Sequence, residues 1–128
     1  MRKLRVYNFE DCEMWIADGY EDLSNLFMAL NADDSMYSPL MQSTGLLDSS
    51  TPKREIFEGD IVETIYNEKL FTGVTVYDQE ETDFKATNGR NEYGNNFCYL
   101  GGNDSIIVIG NIYQNPELLE GTQDDTKV

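Results

Sequence analysis

Residues 55–62 read Glu-Ile-Phe-Glu-Gly-Asp-Ile-Val and combine a turn signal with the start of an alternating strand. Gly59 permits a positive φ at no steric cost, and the Asp60 carboxylate can accept hydrogen bonds from nearby amides. From Ile61 to Tyr66 the chain alternates between two faces and is mostly β-branched, which favours a strand. The stretch therefore predicts a chain that turns at Gly59 and then enters a strand, an arrangement common in small barrels.

The length and composition of the chain predict a single mainly β domain. A chain of 128 residues is of the size that one hydrophobic core usually serves. Hydrophobic residues make up 40% and aromatic residues 12%, which argues against intrinsic disorder. We expect one domain over residues 1–119 and a disordered tail over residues 120–128.

The charge of the chain restricts its partners. Its 24 acidic and 9 basic residues give a net charge of -15, so binding to nucleic-acid phosphates or anionic lipid would begin with repulsion. Basic protein surfaces remain possible partners. Cys12 and Cys98 are too few and too far apart for a disulfide framework, and we expect two reduced thiols in a cytosolic protein. No apolar run follows residues 2–5 as a signal peptide requires, and none is long enough to span a bilayer.

The first part of the chain predicts a hairpin followed by a helix. Residues 4–9 alternate between apolar and polar, and residues 14–17 can pair back onto them. The acidic stretch over residues 18–22 suits a helix start. Four apolar residues follow at helical spacing and predict a face directed to the core: Leu23, Leu26, Phe27 and Leu30. Loops are expected over residues 31–39 and 47–53, with a short extended piece at residues 40–43 between them.

The second part predicts strands over residues 61–66, 70–77, 84–87 and 97–100. Residues 105–109 form the most hydrophobic run and predict a central strand that is buried on both faces. Asn115-Pro116-Glu117 predicts one helical turn that continues to Leu119. The expected fold is a small barrel or a strongly twisted antiparallel sheet, with an N-terminal hairpin, one short helix and a C-terminal helical turn.

The sequence contains no recognisable catalytic, cofactor or metal site. Histidine, the side chain best suited to proton transfer near neutral pH, is missing. Neither cysteine would have an imidazole to activate it as a nucleophile. In a calcium loop starting at Asp78, the required glycine is replaced by Asp83, and Gly89 stands where an acid should close the loop. We therefore expect no enzyme and no bound cofactor.

Three stretches, at residues 40–46, 55–62 and 108–119, resemble the YopX family of phage and prophage proteins in sequence, order and separation. The resemblance is specific over residues 40–119 and weak over residues 1–39. The chain departs from the family pattern at Ser43, where an aromatic residue is usual, and in residues 49–52, where an Asn-Gly turn is usual. The resemblance implies structural roles, in turns and caps, for seven residues of this chain: Gly45, Gly59, Asp60, Gly110, Asn111, Asn115 and Pro116.

The resemblance implies an origin in a phage or prophage, a location in the cytoplasm of the bacterial host, a small β-rich domain and self-association. It implies no reaction, because the family has no assigned molecular function. The shared segments themselves are turns, strand entries and a helix cap, and they contain no convergent set of reactive groups.

Two hypotheses for function follow. In the first, the chain is a non-catalytic interaction or assembly module that forms a homo-oligomer or binds a host protein through aromatic residues: Tyr66, Tyr77, Tyr93, Phe97 and Tyr99. This hypothesis predicts a self-complementary patch with an apolar centre and a mass above that of a monomer. In the second, acidic side chains imitate nucleic-acid phosphates and inhibit a host DNA-binding enzyme: Glu21, Asp22, Asp33, Asp34, Asp78, Glu80, Glu81 and Asp83. The second hypothesis requires two rows of acids at phosphate-like spacing on one face, and acids scattered over all faces would contradict it.

Overall fold

The computed structural model describes residues 2–66, 68–88, 97–101 and 105–119, with the backbone alone at residue 66. The chain divides into two compact units, an N-terminal unit Met1–Ser43 and a C-terminal unit Thr44–Val128. The helix and strands are β1 Leu4–Asn8, β2 Glu13–Ala17, α1 Tyr20–Ala32, β3 Met41–Leu47, β4 Glu55–Phe57, β5 Asp60–Tyr66, β6 Lys69–Asp78, β7 Asp83–Thr87, β8 Phe97–Tyr99 and β9 Ile107–Asn111. Within these ranges no helix is long and apolar enough to cross a membrane. The mainly β fold class predicted from the sequence is confirmed.

The N-terminal unit consists of the predicted hairpin, the predicted helix and the start of β3. β1 pairs antiparallel with β2 on one side and with β3 on the other. The helix begins after Gly19, whose φ is 98°, and the Asp22 carboxylate accepts a hydrogen bond from the Asp18 backbone N–H at 3.1 Å. Its Leu26 packs with Val6 and Ala17 in a small core. The hairpin and helix predictions are therefore confirmed.

One of the four α1 residues that were predicted to face the core is exposed instead. Leu26 is buried, and Leu23 and Leu30 pack against the same core, but Phe27 is 42% exposed. Leu23 and Leu30 lie within about 60° of Leu26 around the helix, whereas Phe27 lies about 100° from Leu26, at the edge of the apolar stripe. The prediction that Phe27 faces the core is wrong.

The C-terminal unit contains a five-stranded antiparallel sheet in the order β8-β7-β6-β5-β9. Chain-neighbouring strands β5, β6 and β7 pair as hairpins, as the sequence predicts. The core of this unit is built from seven residues that are buried almost completely: Ile56, Val62, Phe84, Ala86, Cys98, Leu100 and Ile106. The polar excursion predicted over residues 88–96 falls almost entirely outside the described residues, and so does the predicted tail.

The prediction of a central strand over residues 105–109 is wrong. Strand β9 pairs with β5 and takes the end position of the five-stranded order, and Ile107 in it is 42% exposed. An apolar run indicates that a strand carries large apolar side chains, but it does not specify how many neighbouring strands pair with it. The extended piece predicted at residues 40–43 also proves longer, because β3 continues to Leu47.

The turn at Gly59 and Asp60 is the most constrained corner of the C-terminal unit. Gly59 has a φ of 86°; its N–H donates to the Thr75 carbonyl oxygen at 2.9 Å, and its own carbonyl accepts from the Ile112 N–H at 3.0 Å. The Asp60 carboxylate accepts from the Phe57 N–H at 2.8 Å and is buried. The predicted turn is confirmed, and it connects three strands and the segment after β9.

The C-terminal helical turn is held by the family-motif asparagines. Asn111 donates its N–H to the Asn115 side-chain oxygen at 3.2 Å, and Asn115 returns its N–H to the Asn111 carbonyl at 2.8 Å. A Cβ at Gly110 would come within 2.5 Å of the Asn115 side-chain oxygen, so this position has no room for a larger residue. The Pro116 carbonyl accepts from the Leu119 N–H at 3.1 Å, which confirms the predicted turn. Gly45, another glycine of the family motif, lies inside β3 and has a positive φ of 78°.

We predict that Gly59→Ala lowers the free energy of unfolding by about 1–2 kcal/mol, because a Cβ is strained at positive φ. Urea unfolding followed by circular dichroism measures the change. Gly101→Ala is the matched control, since open space surrounds the position where its Cβ would lie. Equal destabilisation by both substitutions would contradict the conformational role of Gly59.

Candidate interaction surface

The surroundings of the reactive side chains are defined for the described residues. No group of three or more histidine, cysteine, aspartate or glutamate residues in this part of the chain could hold a metal ion. Burial raises the pKa of the Cys98 thiol, which disfavours the nucleophilic thiolate at neutral pH. Cys12 is exposed and its thiol donates to the Phe9 carbonyl oxygen at 3.7 Å.

The predicted acidic surface of the N-terminal unit is split between the two ends of α1. Glu21 and Asp22 lie in the first turn, and Asp33 and Asp34 follow the last turn. The rise of a helix separates Glu21 from Asp33 by about 18 Å along the axis. Hydrogen bonds from Ser35 lower the pKa of Asp33. The four acids therefore form two separate pairs and not one continuous row.

The predicted acidic surface of the C-terminal unit lies in and beside the turn between β6 and β7. Its members are Asp78, Glu80, Glu81 and Asp83. Lys85 extends into this group, with its ammonium 2.8 Å from the Asp78 carboxylate and in direct contact with the Glu81 carboxylate. Asp78 also accepts the backbone N–H groups of Glu80 and Glu81, so it organises the turn.

Two of the predicted interface aromatics surround the same lysine. The Lys85 ammonium lies 4.1 Å from the centre of the Phe97 ring, and the Tyr99 hydroxyl is 3.0 Å from the Glu81 carboxylate. Tyr77 packs edge-on against Phe84 at 5.0 Å between ring centres. Of the remaining predicted aromatics, the Tyr66 side chain and the whole of Tyr93 lie outside the described residues.

Lys85 changes the electrostatics of this cluster. Its hydrogen bonds lower the pKa of Asp78 and of Glu81, and the two carboxylates raise the pKa of Lys85. The hydrogen bond to Glu81 raises the pKa of Tyr99. Two of the eight predicted acids therefore share a cation, which weakens the resemblance to a row of phosphates. Sequence analysis missed Lys85, although it is the only basic residue between Lys69 and Arg90.

The outer edge of β9 is covered by the loop between β3 and β4. Asp48 in this loop is 1% exposed, and its carboxylate accepts the Val108 N–H at 3.0 Å and the Arg54 N–H at 2.7 Å. The Ser49 N–H donates to the Ile106 carbonyl at 2.7 Å. A side chain and a loop thus take the place of a further strand, which is a known way to protect a sheet edge. No pattern in the sequence indicates this role of Asp48.

Along β1 and the residue after it, backbone N–H and C=O groups point alternately toward β2 and away from it. The Ser38 N–H donates to the Tyr7 carbonyl at 2.9 Å, and the Phe9 N–H donates to the Met36 carbonyl at 2.8 Å. Tyr7 and Phe9 therefore direct their backbone groups away from β2. Because this direction alternates along a strand, Val6 directs its groups toward β2.

Strand β2 consequently presents an open edge. Trp15 lies opposite Val6 and shares its hydrogen bonds, so Met14 and Ile16 direct their N–H and C=O groups outward. In the part of the chain that the structure describes, no hydrogen-bonding partner lies on this outer edge. Ile16 is 53% exposed. The edge is therefore both apolar and unprotected, a combination that soluble proteins usually avoid.

A groove of about 360 Å³ lies between this edge and α1. Its lining combines apolar and polar residues: Trp15, Ile16, Ala17, Asp22, Asn25 and Leu26. The Trp15 ring packs edge-on against Tyr37 at 5.4 Å between ring centres, which holds the indole beside the groove. Elsewhere on α1, Tyr20 is 82% and Met28 67% exposed.

The surroundings of the groove are acidic. Residues 13–32 contain four acids and no lysine or arginine, and the acids are Glu13, Asp18, Glu21 and Asp22. Lys3 lies 3.9 Å from Asp18, a weak pair in an exposed position. We name the β2 edge, the groove and these acids the β2–α1 surface. Another exposed apolar pair is formed by Ile65 and Leu70, which lie opposite each other on β5 and β6.

We predict that Asp48→Asn costs about 1–3 kcal/mol of unfolding free energy at pH 7, because the amide would place a donor against the Val108 N–H. Burial raises the pKa of Asp48, but its hydrogen bonds from Ser50, Val108 and Arg54 lower it further, below its usual value. Stability from this group is therefore present above the unfolded pKa of about 3.9 and is lost as pH falls through and below it. Urea unfolding from pH 7 to pH 3 should show a smaller loss in Asp48→Asn than in the unmodified chain. The exposed Asp34→Asn is the control, and an identical pH profile for all three proteins would contradict the role of Asp48.

We predict that Lys85→Met lowers the Tm at low salt, because Asp78 and Glu81 would face each other without a cation. The difference from the unmodified chain should shrink as NaCl is added, since salt screens that repulsion. Thermal unfolding at low and high NaCl measures both effects. Lys53→Met removes an exposed lysine outside the cluster and should leave the Tm nearly unchanged. A Tm for Lys85→Met that matches this control at low salt would show that the cluster is not stabilising.

Comparisons with known proteins agree with this description of the fold. The chain is similar to the crystal structure of protein EF1440 from Enterococcus faecalis, with a TM-score of 0.52 and 24% sequence identity, over 93% of this chain and 98% of that one. A likeness at this identity supports the fold alone. A search of curated proteins found no match. The family model for YopX protein matches residues 3–120, which is nearly the whole chain, and the chain therefore belongs to the YopX family.

Proposed function

We propose that this chain is a non-catalytic interaction module of phage or prophage origin, acting in the cytoplasm of a bacterial host. Membership of the YopX family supports a phage-type protein, whose family has no assigned molecular function. In this proposal the β2–α1 surface contacts a second protein chain, either another copy of this chain or a different protein.

The observation that carries the proposal is the open edge of β2. Met14, Trp15 and Ile16 are consecutive apolar residues on an edge strand, and their side chains are half-buried or exposed. In the C-terminal unit the corresponding edge of β9 is covered by Asp48 and its loop. Exposed apolar edges carry a risk of aggregation, so leaving one uncovered is consistent with a surface that another chain covers.

The chemistry of the chain supports a binding role over a catalytic one. The sequence has no histidine to move protons near neutral pH. Cys98 is buried with a raised pKa, and the paired carboxylates of Asp78 and Glu81 are occupied by Lys85. These groups have structural partners and do not converge on an open pocket.

Site-specific photo-crosslinking tests the proposal. With p-benzoylphenylalanine in place of Ile16, irradiation in bacterial cells that produce the chain should yield a covalent adduct with a second chain. The same photoreactive residue at the exposed Gln79, in the acidic turn of the C-terminal unit, is the control. We expect an adduct from position 16 and none from position 79.

Mass spectrometry of the adduct then identifies the second chain, and light scattering on a size-exclusion column reports whether the purified protein is larger than a monomer. No adduct at position 16, together with a monomeric mass, would reject the proposal. An adduct at position 79 alone would place the interaction on the acidic turn and would also reject it.

A further inference from the structure

We propose that the β2–α1 surface binds an extended segment of a different protein, in which alternating apolar residues are flanked by lysine or arginine. The segment would add to β2 as a further strand. This inference rests on the proposed function and specifies the chemistry of the partner.

The backbone of β2 selects an extended partner. Met14 and Ile16 present two N–H and two C=O groups outward, in the spacing that a neighbouring strand matches. If an α-helix covered this edge, these four groups would lose water without gaining backbone partners, which is costly. An added strand satisfies all four, and this is the mode of recognition known as β-augmentation.

The groove selects an apolar side chain in that strand. Side chains alternate between the two faces of a strand, so every second residue of the segment would lie on the α1 side of β2. There the groove is lined by Trp15, which is 36% exposed, and by Leu26, of which only 6% is exposed. A valine or isoleucine at these positions would contact both, while Asn25 is available for a polar contact at the rim.

The charge around the groove selects basic flanks. Glu13 lies at one end of β2, and Asp18 and Asp22 follow its other end. Residues 13–32 contain no lysine or arginine, and Lys3 makes only a weak, exposed pair with Asp18 at 3.9 Å, so acids outnumber cations at both ends of an added strand. Basic residues on each flank therefore complement the surface, and acidic flanks would be repelled.

The same charge argues against a second copy of this chain as the occupant. Two copies that pair through β2 would bring two sets of the acids Glu13, Asp18 and Asp22 close together, in a chain with a net charge of -15. Repulsion of this kind weakens an interface unless cations intervene. A partner with basic flanks faces no such penalty.

Tryptophan fluorescence provides a direct test, because Trp15 is the only tryptophan of the chain and lines the groove. The full-length protein would be titrated with the peptide Lys-Lys-Val-Thr-Val-Thr-Val-Lys-Lys, which contains no tryptophan. We expect saturable binding that changes the emission of Trp15 and weakens as NaCl is added. A peptide with glutamate in place of each lysine should bind at least about tenfold more weakly.

Two further probes separate strand addition from simple charge attraction. A lysine peptide whose three valines and two threonines are all N-methylated keeps its charge but loses every amide donor of its central segment, in whichever direction the strand adds, and it should bind at least about tenfold more weakly. On the protein side, Ile16→Pro removes an N–H that faces outward and is not needed for pairing with β1. This variant should lose peptide binding, whereas Ile16→Thr, which keeps the N–H, should retain it. If Ile16→Pro does not fold, the N-methylated peptide still decides the question.

Equal binding of lysine and glutamate peptides, or of methylated and unmethylated peptides, would overturn the inference. So would a lysine peptide that does not bind while position 16 crosslinks to another chain, and in that case the proposed function would stand. A dimer through β2 that the lysine peptide cannot displace would likewise replace the basic partner with a second copy. Absence of both crosslinking and peptide binding would reject the proposed function itself.

Discussion

The buried corner at Gly59 and Asp60 is the constraint on which the C-terminal unit depends. Its backbone lies in the interior, so each polar group needs a partner inside the protein. Gly59 binds Thr75 on one side and Ile112 on the other, and Asp60 binds Phe57. One turn thereby connects β4, β5, β6 and the segment after β9. A side chain at Gly59 would be strained at the positive φ that makes these contacts possible.

The sheet edges of the two units differ in how they are covered. Asp48 and its loop supply acceptors and donors to β9, so that edge is closed by the chain itself. In the residues that the structure describes, β2 receives no such cover, although Trp15 and Ile16 make its surroundings apolar. A groove beside the uncovered edge and an acidic rim make this surface suited to another chain.

The acidity of the chain has more than one role. Asp48 and Asp60 are buried carboxylates that accept backbone N–H groups, and they belong to the architecture. Asp78 combines a turn with the ion pair to Lys85. Acids such as Glu21 are exposed and contribute to the field around the N-terminal unit. A net charge of -15 therefore cannot be read as a single functional surface, because it sums groups in different environments.

The sequence by itself determined the local elements: the hairpin, the helix, the strand entry after Gly59 and the turn at Pro116. These depend on backbone conformation and on periodicity within a few residues, which a sequence shows directly. Only the tertiary structure decided that β9 is an edge strand, that Lys85 joins two carboxylates and two aromatic rings, and that β2 is left open. Each of these features depends on which strands pair with which, and the Lys85 cluster forms in the hairpin of β6 and β7 together with the neighbouring strand β8. Hydrophobicity and charge patterns specify what a segment can contact, and the tertiary packing inside each unit decides which of these contacts are made.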